Sequence, residues 1–193
     1  MSAVTYNWFL NKHVDENWAW IKTFTPEECD QIVKLGLSLQ VDRAEAAGDP
    51  EHKIRKSKVS WIPTEEENYW IFNKCSAMVL QSNSQFFNYD LQYIENLQFG
   101  VYDASETGFY GRHIDTEYIS TGTRKLSFSI LLSDPESYEG GELMLHYKRD
   151  GYTAAREQGV SIIFPSAMLH EVTPVTKGTR YSLVGWVVGP RFK

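Results

Sequence analysis

Two histidines and one aspartate carry the spacing of a metal site. His113 and Asp115 stand at positions i and i+2, so in an extended chain both side chains leave the same face, about 7 Å apart along the strand. His170 follows the turn at Pro165 in a segment of strand character, and it can return a second imidazole from a neighbouring strand. Two imidazoles and one carboxylate on one side of an ion form the facial triad of non-haem Fe(II) oxygenases, which leaves other coordination positions open.

An arginine after His170 indicates an anionic ligand beside this site. If the strands around His170 and Arg180 pair across a turn at Pro174–Gly178, the two side chains share a face. Ser182 follows on that face and can help to hold a carboxylate. A guanidinium binds a carboxylate through two parallel hydrogen bonds, and a buried guanidinium without such a partner is strongly unfavourable. The alternative, a surface ion pair, does not explain why the strand continues with apolar residues on the same face.

Two amphipathic helices are predicted ahead of the strands. Thr25-Pro26-Glu27-Glu28 is a capping box with proline at the first helical position, and it predicts a helix over about 25–40. Thr64-Glu65-Glu66-Glu67 repeats the box and predicts a second helix that ends before Asn88. The stretch Gln40 to Lys58 has no clear hydrophobic period, so it is interpreted as a mobile surface loop that could close over a substrate.

The C-terminal half shows the period-two pattern of antiparallel β-structure. In the first strand Leu97, Phe99 and Val101 share one face, whereas Tyr102 lies on the opposite, polar face. A double-sheet jelly roll buries the apolar face under the two helices and lines a polar cavity with the other. The predicted strands cover 91–102, 124–132, 142–147, 160–164, 168–173 and 179–188.

Length and composition predict one α+β domain over 1–193, with helical support over about 1–90 and a cupin-like jelly-roll core over about 91–190. The net charge of −6 argues against a nucleic-acid partner. No window approaches the ~20 apolar residues of a membrane span, and no secretory leader is apparent. Cys29 and Cys75 are too few for a disulfide framework, which favours core thiols and a cytoplasmic location.

The order of these residues resembles the prolyl 4-hydroxylase-type Fe(II)/2-oxoglutarate-dependent dioxygenases. The resemblance covers about 91–188, and the opening at Thr25 and the stretch from Arg55 to Trp61 resemble bacterial members. Because collagen-type prolyl hydroxylases use lysine where this chain has Arg180, the likeness is closer to the arginine-bearing branch that includes oxygen-sensing and bacterial PKHD-type hydroxylases. The matching residues are Tyr102, Gly108, Tyr110, His113-Ile114-Asp115, Leu131-Leu132-Ser133, Gly140-Gly141-Glu142-Leu143, Phe164-Pro165, His170-Glu171-Val172, Arg180-Tyr181-Ser182-Leu183 and Trp186.

This resemblance implies a double-stranded β-helix in which His113, Asp115 and His170 bind Fe(II). It implies that Arg180 grips the 5-carboxylate of the cosubstrate 2-oxoglutarate, with Tyr102 as the candidate for an additional hydroxyl. The implied reaction hydroxylates a prolyl residue of a protein or peptide and converts 2-oxoglutarate to succinate, with ascorbate as a reductant.

The substrate side is expected to include Tyr110 and Trp186, because aromatic faces accept a proline ring. Arg55 is expected there too, since its stretch could close over a substrate. Three other functions stay open. A hydroxylase of a free amino acid would need a charged anchor, for which Arg55 or Arg112 is available. A jelly-roll binding module would need no complete triad, and a nucleic-acid demethylase is disfavoured by the acidic charge.

The remaining histidines, His13, His52 and His146, have no partner at ligand spacing and are assigned to the surface. Glu171 follows His170 directly, so on a strand it points the opposite way and makes a poor fourth ligand.

Overall fold

The computed structural model describes residues 18–44, 54–147 and 151–191. Its helices are α1 (Pro26–Ser38) and α2 (Tyr69–Ser82), with a π-helical turn at Asn83–Phe87 and 3₁₀ turns at Glu66–Asn68, Ala104–Glu106 and Pro135–Ser137. Its strands are β1 (Ala19–Lys22), β2 (Asp42–Arg43), β3 (Arg55–Lys56), β4 (Lys58–Trp61), β5 (Tyr93–Ile94), β6 (Gln98–Asp103), β7 (Phe109–His113), β8 (Tyr118–Ile119), β9 (Gly122–Leu131), β10 (Glu139–Gly140), β11 (Leu143–Leu145), β12 (Tyr152–Thr153), β13 (Val160–Pro165), β14 (His170–Val172), β15 (Val175–Lys177) and β16 (Thr179–Gly189).

The two helices begin differently. The capping box predicted for α1 is confirmed: Thr25 accepts a hydrogen bond from the Glu28 backbone, and the Glu28 carboxylate accepts one from the Thr25 backbone. The box predicted at Thr64 is wrong, since α2 begins at Tyr69 without a side-chain cap. The Asn68 side chain instead donates to the Pro63 carbonyl and holds the chain in a 3₁₀ turn before the helix starts.

Among the described residues, the larger sheet has the strand order β1-β13-β9-β16-β6-β4-β2, with β5 paired to β16 and β8 paired to β9. The helices α1 and α2 pack on its apolar face, as predicted, and Cys29 and Cys75 are buried free thiols in that core. Burying apolar side chains between a sheet and helices is the main stabilising term of such a layer. The core also includes Ile32, Ile71, Met78, Val79, Leu97, Phe99, Val101, Leu126, Phe128, Ile130 and Leu183.

The smaller sheet has the order β12-β11-β14-β7-β3 within the described chain and faces the other side of the larger sheet. A second apolar cluster joins the two sheets, with Leu145 and Val172 from the smaller sheet against Ile162 and Phe164 from the larger one. Two opposed antiparallel sheets with helices behind one of them form the predicted jelly roll.

The predicted pairing of the His170 and Arg180 strands is wrong. His170 in β14 lies opposite His113 in β7, whereas Arg180 in β16 lies opposite Tyr102 in β6. The chain at Pro174–Gly178 is not a hairpin turn, because it contains β15, which pairs with β10 and carries the chain from the smaller sheet to the larger one.

The interpretation of Gln40 to Lys58 as a mobile loop is also wrong where the structure describes it. The strand β2 pairs with β4, β4 pairs with β6, and β3 pairs with β7. These strands are two to four residues long, too short to show a hydrophobic period in the sequence. Positions 45–53, which include His52, lie outside the described residues, as does His13.

None of the helices in the described parts of the chain has both the length and the apolar character needed to cross a membrane.

Candidate active site

Three potential metal ligands converge between the two sheets. His113 ends β7 and His170 begins β14, and their Cα atoms are partners across that strand pair. Asp115 lies beyond the end of β7, where its backbone N–H and that of Thr116 donate to the Ser166 carbonyl. The Nε2 atoms of His113 and His170 lie 3.5 Å and 3.4 Å from the two oxygens of the Asp115 carboxylate. One ligand atom of each residue lies within 4.8 Å of the other two, so one ion can contact all three.

Both imidazoles are held in the orientation that metal binding requires. Nδ1 of His113 lies 2.8 Å from the Gly111 carbonyl, and Nδ1 of His170 lies 2.8 Å from the Met168 carbonyl. A carbonyl only accepts hydrogen bonds, so each Nδ1 carries a proton and a metal would be bound through Nε2. Burial, followed by the neighbouring His170, lowers the pKa of His113 to about 4, so this ring is neutral at pH 7.

A cavity of about 520 Å³ lies between the sheets and contains all three ligand candidates. The structure also brings the predicted cosubstrate and substrate residues into this cavity. Its walls include Arg55, Tyr102, Tyr110, Leu143, Phe164, Val172, Arg180, Ser182 and Trp186.

Arg180 has the environment of a carboxylate-binding residue. It is buried in the middle of the fold, and its guanidinium carbon lies 5.3 Å from the centre of the Tyr102 ring. In the part of the chain that the structure describes, neither Nη1 of Arg180 nor Oγ of Ser182 has a hydrogen-bond partner. Buried polar groups are rarely left unsatisfied, and a bound carboxylate would supply both atoms with an acceptor. The donor set therefore fits one end of a dicarboxylic acid.

A glycine turn packs against the stem of Arg180. Gly140 and Gly141 have φ angles of +73° and +67°, a region that favours glycine. A Cβ on Gly141 would lie 2.9 Å from Cδ of Arg180 and 2.9 Å from Val175. In the sequence the pair stands directly before the predicted strand over 142–147. Its contact with Arg180 depends on a pairing of distant segments that the sequence does not display.

The mouth of the cavity is aromatic. The Arg124 guanidinium lies 4.4 Å from the centre of the Trp186 ring and is held by two hydrogen bonds of 2.8 Å and 2.7 Å to Glu95. The exposed ring of Trp61 lies 6.3 Å from Trp186. Within the described residues, Nε1 of Trp186 and Oγ1 of Thr116 are buried donors without a partner. Sequence reasoning missed Arg124 and Thr116, because neither occurs in a recognisable motif.

Two predicted assignments near this site are wrong. Arg112 does not line the cavity, because its Nε donates to Glu171 on the outer face of the smaller sheet at 3.2 Å. His146 is not a free surface residue: it is half-buried, and its Nε2 lies 2.8 Å from the same Glu171 oxygen. Glu171 points away from His170, as predicted.

Comparison with known proteins agrees with this geometry. Residues 97–188 match the family described as the 2OG-Fe(II) oxygenase superfamily. A PKHD-type hydroxylase of Prochlorococcus marinus strain SARG is 46% identical over 167 residues, which cover 83% of this chain and 72% of the relative. A PKHD-type hydroxylase of Synechococcus sp. strain CC9605 is 35% identical over 143 residues, which cover 73% of this chain and 63% of the relative.

Two solved structures share the fold. A prolyl hydroxylase from Trichoplax adhaerens, in complex with a peptide fragment of hypoxia inducible factor, has a TM-score of 0.73 and 20% identity, covering 91% of this chain and 84% of its own. A viral collagen prolyl hydroxylase from Paramecium Bursaria Chlorella virus-1, in a 2OG complex, has a TM-score of 0.69 and 18% identity, covering 91% and 97%. Their likeness establishes the fold, and the sequence relatives establish the family: the chain is an iron- and 2-oxoglutarate-dependent oxygenase that belongs to the 2OG-Fe(II) oxygenase superfamily and, within it, to the PKHD-type hydroxylases.

Proposed function

We propose that this chain hydroxylates a prolyl residue of a protein or peptide, with Fe(II) held by His113, Asp115 and His170 and 2-oxoglutarate held by Arg180. The observation that carries the proposal is that the unpaired donors of Arg180 and Ser182 lie in the same cavity as the three converging metal ligands. When bound, iron and 2-oxoglutarate would supply the oxidising chemistry, in which dioxygen is consumed and 2-oxoglutarate is converted to succinate and carbon dioxide.

The chain's own residues would position the ion and the cosubstrate and exclude water from the cavity. His113, Asp115 and His170 would hold the ion from one side, and such a triad leaves coordination positions open for the cosubstrate. The carbonyls that accept from each Nδ1 fix the two imidazole rings. Phe164 packs on His170, with the ring centres 4.7 Å apart, and the apolar side chain of Leu143 also lines the cavity. A dry, shaped site of this kind keeps the oxidation directed at one bond.

A prolyl substrate is supported by the aromatic mouth. Trp61 and Trp186 line the cavity and offer aromatic surface to the apolar ring of proline. Trp186 and Thr116 line this cavity, and each has a buried donor that lacks a partner among the described residues. The peptide complex of the Trichoplax enzyme is consistent with this substrate class.

Hydroxylation of a free amino acid is the main rival, and the structure offers it little support. Such a substrate needs a charged anchor in the cavity. Arg112 lies outside the cavity, and Arg55 already donates to Ser57 and Gln98 and packs on Tyr110.

We also propose that residues 1–193 form one domain and that the protein works in the cytoplasm. The helices and both sheets pack on shared apolar clusters, which supports one domain. Two buried cysteines that form no disulfide are typical of a reducing compartment.

The proposal is tested by anaerobic titration with Fe(II) and 2-oxoglutarate, followed by a succinate assay in air. The assay compares a panel of proline-containing peptides, free proline and no substrate, each with and without ascorbate. The expected result is succinate together with a mass gain of one oxygen atom on a peptide. Succinate formed only with a free amino acid would contradict the peptide substrate. Absence of succinate under every condition would favour a binding module.

A further inference from the structure

Three side chains form a continuous stack at one wall of the cavity. The rings of Tyr110 and His113 are nearly parallel, with an interplanar angle of 13° and centres 3.5 Å apart. The guanidinium carbon of Arg55 lies 4.5 Å from the centre of the Tyr110 ring. Because an imidazole 3.5 Å from one face leaves no room for a guanidinium there, Arg55 lies on the opposite face. The stack therefore runs from the guanidinium of Arg55 through the phenol ring of Tyr110 to the imidazole of His113.

Arg55 is fixed in this stack by both sheets. Its side chain is only 8% exposed. Nε donates to Oγ of Ser57 at 2.8 Å, and Nη2 donates to Oε1 of Gln98 at 2.9 Å. Arg55 belongs to β3 and lies opposite Tyr110 in the smaller sheet, whereas Gln98 belongs to β6 of the larger sheet. The side chain thus joins the two walls of the cavity.

The rings of His113 and His170 depend on neighbouring side chains for their orientation to different degrees. The side chain of His113 is 15% exposed, and that of His170 is 7% exposed. The hydrogen bond from Nδ1 to a carbonyl constrains one atom of each ring, and a neighbouring aromatic ring constrains the plane. For His170 that neighbour is Phe164, a side chain of the buried cluster between the sheets. For His113 it is Tyr110, which is only partly buried.

A cation over an aromatic face is attracted by the negative charge of the ring's π-system. Arg55 therefore holds Tyr110 in place by its charge, and Tyr110 covers the imidazole of His113. We infer that Arg55 is a positioning residue of the metal site, which acts through Tyr110 to keep the His113 ring in its coordinating orientation. The inference rests on the proposed metal site and moves Arg55 from the substrate side, where the sequence placed it, to the support of a ligand.

The test measures metal binding without turnover. Mn(II) is titrated calorimetrically into the metal-free protein of residues 1–193, and the dissociation constant is compared between variants. Arg55→Met keeps the length of the side chain but removes its charge and donors. It is expected to weaken Mn(II) binding by about 10- to 100-fold, the range found when residues that orient metal-binding histidines are changed. Arg112→Met is the matched control, because Arg112 neighbours His113 but points to the outer face, and it is expected to bind as the wild type does.

Substitutions of Tyr110 separate positioning from general damage. Tyr110→Phe keeps the stacked ring and is expected to bind Mn(II) as the wild type does, whereas Tyr110→Leu is expected to weaken binding as much as Arg55→Met. The double variant is expected to bind no more weakly than Tyr110→Leu alone, because Arg55 acts through that ring. The visible absorption of bound Co(II), which reports ligand geometry, is expected to change in Arg55→Met and to stay unchanged in Arg112→Met.

The outcomes separate the positioning role of Arg55 from the existence of the metal site. Wild-type Mn(II) affinity in Arg55→Met, or additive losses in the double variant, would overturn the inference and leave the proposed function standing. If Arg55→Met does not fold, Arg55→Lys is measured in its place, because lysine keeps the charge but not the planar guanidinium. Wild-type Mn(II) affinity in both Arg55→Lys and Tyr110→Leu would overturn the inference. A wild-type protein that does not bind Mn(II) would overturn the metal site itself.

Discussion

The two sheets of the jelly roll differ in how they are supported and in what they supply to the site. The larger sheet has strands of up to 11 residues and carries α1 and α2 on its apolar face. The strands of the smaller sheet have two to five residues. Nevertheless His113 and His170 come from the smaller sheet, and Arg180 comes from the larger one. In the proposed site, metal binding would therefore depend on the less extensive sheet, whereas cosubstrate binding would depend on the helix-backed one.

The largest effect is expected when the smaller sheet loses a ligand. His170→Ala removes one of two imidazoles, and we expect 2-oxoglutarate turnover to fall by about 10³-fold or more, because a catalytic metal contributes several kcal/mol to the transition state. The measurement is succinate formation at saturating Fe(II). Glu171→Ala is the control, since that side chain points to the outer face; turnover retained in His170→Ala would contradict the proposed triad.

The next effect tests the larger sheet. Arg180→Met removes the buried guanidinium, and we expect the KM for 2-oxoglutarate to rise by about 30-fold or more, since loss of one partner of a buried charge pair costs about 2–5 kcal/mol. Mn(II) affinity is expected to remain that of the wild type. Arg191→Met serves as the control, because Arg191 donates to the Ile119 carbonyl and does not line the cavity. Equal losses of cosubstrate and metal affinity in Arg180→Met would show that the two layers are not separable.

A matched pair of leucines sharpens the comparison. Leu126 lies in the core under the helices and Leu145 lies between the sheets, and both are fully buried. We expect each change to alanine to lower the free energy of unfolding by about 2–5 kcal/mol. Only Leu145→Ala is expected also to weaken Mn(II) binding, because Leu145 is the strand partner of His170. Urea unfolding with and without Mn(II) measures both the free energy of unfolding and the metal affinity. Equal metal affinity in the two variants would contradict a metal site that depends on the smaller sheet.

The smallest effect concerns the thiols behind the larger sheet. Burial raises the pKa of Cys29 and of Cys75 to about 12, so at pH 8 only about 10⁻⁴ of each thiol is in the reactive thiolate form. Iodoacetamide at pH 8 is expected to leave both unlabelled in the folded protein and to label both after unfolding in guanidinium chloride. Addition of Mn(II) is expected not to alter the result. Labelling of the folded protein at pH 8 would show that the helices open readily.

The convergence of the three candidate ligands was predicted better from the sequence than the pairing of the strands that carry them. The residues His113, Asp115 and His170 stood out because the chemistry of a metal limits which side chains can serve and how they are spaced. The location of Arg180 in the cavity was predicted from a hairpin that does not exist. Strand pairing between distant segments is decided by packing of the whole fold. The alternation of residues within one segment does not indicate which strand will be its partner.

Arg55 shows the same limit from another side. Its segment was interpreted as loop because β3 is two residues long. Its burial arises from contacts with β6 and β7, which lie more than forty residues further along the chain. His146 was likewise assigned to the surface because its partner, Glu171, is distant in sequence. Periodicity describes which face of an element is apolar, but not which polar side chains meet across elements.

The turn at Gly140–Gly141 determines where the stem of Arg180 can lie. Because Gly141 has no Cβ, the stem of Arg180 can lie directly against the backbone. Any larger residue at that position would displace the guanidinium and change the span between it and the cluster of His113, Asp115 and His170. The absence of one methyl group thus leaves room for the stem of the residue that we propose to hold the cosubstrate.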